Sequence, residues 1–292
     1  SDKLEAQFKS LRFPVGTRQK VVKLNFDVRL SMKNTSTSCN NLLLQAETNN
    51  QFIVNTNGFQ WHQSEKILLT HQVFAKENDV SWHKFCNVIQ FRYLSALDQD
   101  MNSPERPLHV QDFDYFKQLY FDGSGSVSRA LVDEFTNWYL LCIHKIKRQR
   151  HFRELWVHGY CCGFLSRDEA VSILRAERPG SFLLRFSEQC PGRTAIAFVT
   201  RDANTSENKV KHYLIDNNLD INGSKRTLPD FIRNQPALLY LVIVSTTKSN
   251  AQRVFSVENK DKVLSEFYSK RKNKKEPHGY VTILPTYCPT DT

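Results

Sequence analysis

Pro179-Gly180-Ser181-Phe182-Leu183-Leu184-Arg185-Phe186-Ser187 decides how the C-terminal half of this 292-residue chain folds. Pro-Gly turns the chain, and the residues after it place large apolar groups on both faces of an extended segment, as in the centre of a covered sheet. Arg185 breaks that pattern. A guanidinium in such a strand is costly unless paired, and no acidic residue shares its face of the strand. It is therefore either half of an ion pair with a distant carboxylate or the floor of an anion site. The residues that follow, Ser187-Glu188-Gln189-Cys190-Pro191-Gly192, begin a tight polar loop. Its N–H groups and the Ser187 hydroxyl could surround a phosphate, with the Arg185 fork beneath.

The flanking segments extend the reading. Ser166 can cap a helix and Glu169, three residues on, can close a capping box, while Ala170, Ile173 and Leu174 supply the buried stripe. Val210-Lys211-His212-Tyr213-Leu214-Ile215 reads as another strand, and His212 could lie against a phenol ring above the phosphate. Taken alone, a histidine there is more often a core residue.

Trp156-Val157-His158-Gly159, Phe164 to Ala170, Gly180 to Ser187 and Val210 to Tyr213 together resemble an SH2 domain, in the right order. The resemblance implies a central antiparallel sheet between two helices. It also implies phosphotyrosine as ligand, with Arg185 as the phosphate-gripping residue, Arg167 as a second cation, and Ser187, Glu188 and His212 around them. A guanidinium fork gives two charge-assisted hydrogen bonds to a phosphate near −2, and a deep floor is within reach of a phenyl arm but not of phosphoserine.

Upstream, Val22, Leu24, Phe26, Val28 and Leu30 alternate with polar residues, the period of a half-buried strand. Short apolar runs at Leu42–Leu44, Phe52–Val54 and Ile67–Leu69, separated by polar and Gly clusters, suggest further strands of a small antiparallel β-sandwich. Between Trp82 and Phe152 the texture is helical. It is clearest from Ser126 to Arg150, where Val127, Leu131, Phe135, Trp138 and Leu141 recur three or four apart. Just before it, Asp122-Gly123-Ser124-Gly125-Ser126-Val127 looks like the middle of an EF-hand calcium loop. With Gly125 at loop position 6, positions 1 and 12 are Tyr120 and Leu131, where calcium needs carboxylates, so no calcium is expected.

The segment Lys260 to Tyr268, a basic stretch, and His278-Gly279-Tyr280-Val281 resemble the end of the STAT (signal transducer and activator of transcription) family, as does the order of parts. The resemblance implies a multidomain α+β chain. Residues 1–81 would be an immunoglobulin-like β-sandwich that binds DNA, 82–152 a helical EF-hand-like linker, 153–268 the SH2 domain and 269–292 a phosphotyrosine tail. A tyrosine kinase would phosphorylate Tyr280, and each phosphorylated tail would enter the Arg185 pocket of a second copy. The homodimer so formed would bind palindromic duplex DNA and move from cytoplasm to nucleus. Phosphotyrosine-bearing receptors or scaffolds are further expected partners. Alignment with the family places Lys33 and Gln72 at DNA-contact loops. The β-domain is shorter than the family's and its coiled-coil bundle is missing, as in a core fragment or a divergent member.

Composition sets wide limits. The net charge of +10 suits a polyanionic partner. Seven cysteines, at 39, 86, 142, 161, 162, 190 and 288, form no CxxC pair and read as reduced thiols. No apolar run reaches membrane-helix length, and no signal peptide, membrane insertion, metal site or cofactor is expected. Neither a Gly-rich phosphate loop nor a nucleophile elbow is present, so the chain reads as no enzyme. The competing reading is an SH2 adaptor of Cbl-like layout, which docks on phosphotyrosine proteins without dimerising or binding DNA.

Overall fold

The computed structural model describes residues 13, 15–30, 42–47, 51–121, 123, 125–202, 207–215, 227–246 and 252–269. The chain divides into two compact units, Ser1–Lys76 and Glu77–Thr292.

In the first unit the alternating segment forms strand β1 (Asn25–Leu30), antiparallel to β2 (Leu42–Glu47), with Val28 opposite Leu44. Val22 and Phe52 add an isolated bridge. After a 3-10 turn at Gly58–Gln60, helix α1 runs from Trp61 to Phe74. The described residues of this unit thus hold one strand pair and a helix, and the immunoglobulin-like sandwich expected for residues 1–81 is not among them. The strand expected at Ile67–Leu69 is part of α1. The buried positions Ser64, Glu65, Leu68, Leu69 and Val73 follow helical spacing, and the short apolar run is a slice of that 3.6-residue period. Gln72, expected in a DNA-contact loop, is half-buried in the last turn of α1. Lys33 lies outside the described residues.

The second unit opens with two short strands, β3 (Asp79–Ser81) and β4 (Ser126–Ser128), paired antiparallel with Val80 opposite Val127. Each leads directly into a helix whose N-terminus accepts a serine cap. Ser81 caps α2 (Trp82–Ala96) and Ser128 caps α4 (Arg129–Arg148), with α3 (Val110–Tyr120) between them. This is an EF-hand-like pairing of two loops, of which the sequence showed only the second. Tyr120, where calcium would need a carboxylate, packs its ring against Phe135 and Trp138 at centroid distances of 5.6 and 5.7 Å. The core of this part is aromatic: Phe85 meets Phe121 at 4.9 Å and Phe116 meets Phe135 at 5.2 Å. Leu141, part of the helical spacing read from sequence, is 39% exposed although the Gly192 loop approaches its Cβ and carbonyl.

Helix α5 (Arg150–Val157) runs across the expected 152/153 boundary into a five-stranded sheet of order β7-β6-β5-β8-β9. Its strands are β5 (Ser181–Phe186), β6 (Thr194–Arg201), β7 (Asn208–Leu214), β8 (Tyr240–Thr246) and β9 (Arg253–Asn259). Helices α6 (Arg167–Leu174), α7 (Leu228–Arg233) and α8 (Lys260–Leu264) accompany it. The sheet is mixed, not antiparallel throughout. After β7 the chain passes through α7 to the other side of β5, and β8 runs parallel to β5 there.

On one face Leu183, Ala197, Val199, Val242 and Val244 pack with Ala170 and Leu174 of α6. On the other, Phe186 meets Phe164, Phe152 and Trp156 at 5.1, 5.7 and 5.8 Å. The connector closes over that face: Trp156 Nε1 donates to Tyr93 Oη at 2.8 Å, and the buried Arg106 guanidinium lies 3.6 Å from the Trp156 ring. Arg253 of β9 pairs with Asp112 of α3, both almost fully buried. Near the C-terminus Ser269 donates through its N–H (2.8 Å) and hydroxyl (2.6 Å) to Asp230. Burial works to raise the Asp230 pKa, and the hydrogen bonds from Ser269 and Thr227 outweigh it and hold the carboxyl below its usual range. The chain is therefore anchored to α7 at Ser269.

Candidate functional site

Arg185 sits in β5, the central strand, where all six positions are buried; the arginine itself is 6% exposed. Its partners are few. One Nη donates to the Phe186 carbonyl at 3.1 Å, the Glu188 carboxylate stands 4.0 Å away, and Nε has no hydrogen-bond partner among the described residues. Burial works against its charge and lowers its pKa, with Glu188 opposing. A guanidinium with unspent donors in a desolvated strand suits an anionic ligand.

Cross-strand register explains the assembly. Leu183 faces Ala197 in β6, and Ala197 faces His212 in β7, so Arg185, two residues from Leu183, shares a sheet face with His212. That is the face covered by α6, whose first residue is Arg167. The capping box read from sequence is present, with Ser166 Oγ accepting from the Glu169 N–H at 3.0 Å and Glu169 accepting from the Ser166 N–H at 2.6 Å. It fixes where the helix begins and leaves Arg167 exposed at the rim.

Both His212 ring nitrogens are buried without hydrogen-bond partners among the described residues. Burial, and after it the charges of Arg185 and Arg167, push its pKa down to about 4, so the ring is neutral at pH 7. Its folded-state value lies below the ordinary 6.5, so the neutral ring's contribution to stability is present above pH 6.5 and is lost as pH falls toward 4. His212→Gln is therefore expected to retain more of its pH 7.5 thermal midpoint at pH 4.5 than the parent does. Thermal melts at both pH values check this, and equal acid sensitivity would contradict it.

Ser187 is 8% exposed, and its Oγ accepts from the Cys190 N–H at 3.1 Å, closing the first turn of the loop. The hydroxyl proton stays available to a ligand oxygen. Glu188, named from the sequence among the phosphate-side residues, is half-buried and acts on the opposite charge: it is the internal counter-ion of Arg185.

The structure thus brings together Arg185, Arg167, Ser187, Glu188 and His212. Tyr280 and Lys33 lie outside the described residues, and Gln72 lies in α1, in the other unit. Sequence reading missed Tyr115 of α3. Its pKa is raised by burial and by the Glu188 charge, with Arg185 opposing, which places the phenol among the pocket's charges. It missed Trp138 as well, whose Nε1 donates to the Ser187 carbonyl at 2.8 Å. No signal in the sequence joins residues 49 apart. Among the described residues no cluster of His, Cys, Asp or Glu could hold a metal, and no helix is long and apolar enough to cross a membrane.

The model of the EF-hand fold domain matches residues 57–149, and that of the SH2 domain matches 160–234. The EF-hand match begins with the 3-10 turn before α1, well ahead of residue 82. The chain is 35% identical over 292 residues to signal transducer and activator of transcription B of Dictyostelium discoideum, covering 92% of this chain and 25% of that protein. It is 31% identical over 271 residues to signal transducer and activator of transcription A of the same organism, covering 92% and 37%. With human signal transducer and activator of transcription 6 it shares 24% over 224 residues, 71% of this chain and 24% of the other. The chain thus spans a quarter to little more than a third of the two Dictyostelium relatives' lengths.

Proposed function

The chain belongs to the STAT family, and from that premise we propose that it is the phosphotyrosine-switched part of a latent transcription factor. The observation that carries the reading is Arg185: a buried cation, held in the central strand beneath a tight loop, with, among the described residues, no partner for Nε and a counter-ion at 4.0 Å. Phosphate entry would replace one distant carboxylate by two short charge-assisted hydrogen bonds. Glu188, 4.0 Å from the guanidinium, is the carboxylate that the phosphate would replace as counter-ion.

In this reading an external tyrosine kinase modifies Tyr280, and the tail of one copy fills the pocket of another. From the anchor at Ser269, eleven residues lead to Tyr280 (280 − 269), about 36 Å of extended chain at roughly 3.3 Å each, enough to reach a neighbouring molecule. The pair then binds two half-sites of duplex DNA and acts in the nucleus, while the unphosphorylated chain stays in the cytoplasm. The net charge of +10 favours that partner. The chain itself performs no catalysis.

Titration with a labelled peptide of residues 275–286 tests the pocket. Binding is expected with phosphotyrosine at 280 and not with unmodified tyrosine or with phosphoserine in its place; equal affinity for the three would contradict the reading. Retention of a pool of random duplexes by the phosphorylated chain, falling steeply with salt, tests the DNA step. A phosphorylated chain that binds the peptide but no duplex at low salt is an adaptor instead.

A further inference from the structure

Trp138, Leu141 and Cys142 lie three and four residues apart, on one face of α4, and the first two meet the same loop of the SH2 domain. At its start, Trp138 Nε1 donates to the Ser187 carbonyl at 2.8 Å, inside the buried interface. Farther along the helix, Cys142 is fully buried, and burial pushes its thiol up to about 12. Between them, Gly192 approaches α4 so closely that a Cβ there would stand 3.1 Å from Leu141 Cβ and 3.2 Å from its carbonyl oxygen. Its φ of +71° is one that side chains other than glycine rarely adopt, so the residue suits both the turn and the close approach.

The loop is also stitched internally. Ser187 N–H donates to the Arg193 carbonyl at 2.9 Å, Arg193 N–H to the Cys190 carbonyl at 3.1 Å, and Cys190 N–H to Ser187 Oγ. The first of those bonds continues the β5–β6 pairing beyond Phe186 and Thr194. The bond from Trp138 adds a tie from that turn to α4. A peptide unit is planar with its C=O and N–H opposed, so holding the Ser187 carbonyl against α4 turns the following N–H, that of Glu188, away from the helix. Tyr115 completes the wall from α3, with its ring centroid 6.0 Å from that of Trp138 and its phenol within the fields of Glu188 and Arg185.

We propose that helix α4 of the connector belongs to the phosphate-binding machinery. Trp138 is a positioning residue that, with the backbone of Leu141 against Gly192, holds the Ser187–Gly192 loop at the angle that grips phosphate. The affinity of the pocket is thereby set from outside the SH2 domain. This rests on the phosphotyrosine reading of the Arg185 pocket.

The test uses the full chain, with phenyl phosphate and the phosphorylated 275–286 peptide as two probes. Trp138→Phe keeps an aromatic ring and removes the donor. Affinity for both probes is expected to fall about fivefold by the same factor, consistent with one buried hydrogen bond. Amide exchange at 187–193 should accelerate while β5 and β6 keep their protection. Gly192→Ala, whose added Cβ would stand 3.1 Å from Leu141 Cβ and move the loop off α4, is expected to act in the same direction by about threefold, and keeps the test open if Trp138→Phe does not fold. A parent that binds both probes while the folded variants match it within twofold overturns the inference. A loss confined to the peptide, with phenyl phosphate unaffected, also overturns it, since the effect would then lie away from the phosphate. A parent that binds neither probe overturns the phosphotyrosine reading itself, and this inference with it.

Discussion

Arg185→Ala is expected to lower affinity for the phosphorylated tail peptide by at least about a hundredfold and to leave the thermal midpoint where it was or raise it. The loss follows from two charge-assisted hydrogen bonds of about 1.5–3 kcal/mol each. Stability behaves differently because the guanidinium is desolvated and, among the described residues, has one hydrogen bond at 3.1 Å and no partner for Nε. Removing it abolishes a desolvation cost and frees only Glu188, which is half-buried. Arg185→Lys should fall between, since it keeps the charge and loses the fork. Peptide titration beside thermal melts separates the two effects, and a variant that unfolds would show Arg185 to be a structural ion-pair partner.

Tyr280→Phe is expected to abolish phosphorylation-dependent pairing outright. The size of this effect comes from reciprocity. Once one tail is docked, the second docks within a joined pair at an effective concentration near millimolar, which multiplies a modest single-site affinity by roughly 10² or more. Mixing phosphorylated Arg185→Ala chains with Tyr280→Phe chains restores one contact of the two. The mixture is expected to pair, but about a hundredfold more weakly than the phosphorylated parent. Pairing of the mixture at parental strength would mean that another face holds the dimer. Tyr268 is a weaker rival acceptor because its hydroxyl already donates to Asp261 at 2.8 Å and its ring lies beneath Arg233.

What the sequence made legible was local. The capping box at Ser166 and Glu169 needs only a four-residue window, and it occurs as read. Arg185 stood out because a single cation interrupts a run that is otherwise buried, which is a statement about one strand. The parallel placement of β8 depends on a crossover and so on tertiary structure, and the expectation of an antiparallel sheet missed it. In the N-terminal unit the run Ile67–Leu69 was too short to separate a strand from a slice of helix. The longer burial pattern from Ser64 to Val73 separates them. The grip of α4 on the phosphate loop joins Trp138 to Ser187 and Leu141 to Gly192, pairs about fifty residues apart. Gly192 showed only as a turn residue, since nothing in a single sequence says which helix a glycine must approach.

Two residues beside Arg185 gained a definite place only in the fold. Glu188 was grouped with the phosphate-side residues, and its carboxylate stands 4.0 Å from Arg185 as an internal counter-charge. His212 was read beside the phosphate, and its position opposite Ala197 puts it on the Arg185 face, where burial and neighbouring cations keep it neutral. A neutral ring can lie against a phenol without adding to the positive charge already present.

The central claim is that tyrosine phosphorylation joins two copies through reciprocal tail exchange, and sedimentation equilibrium of the purified chain before and after phosphorylation tests it most directly. The expected result is a mass of 34.0 kDa before treatment and twice that after it, with the doubling absent in Arg185→Ala and in Tyr280→Phe. A chain phosphorylated at Tyr280 that stays at 34.0 kDa at micromolar concentration would contradict the account, and would leave a monomeric phosphotyrosine adaptor in its place.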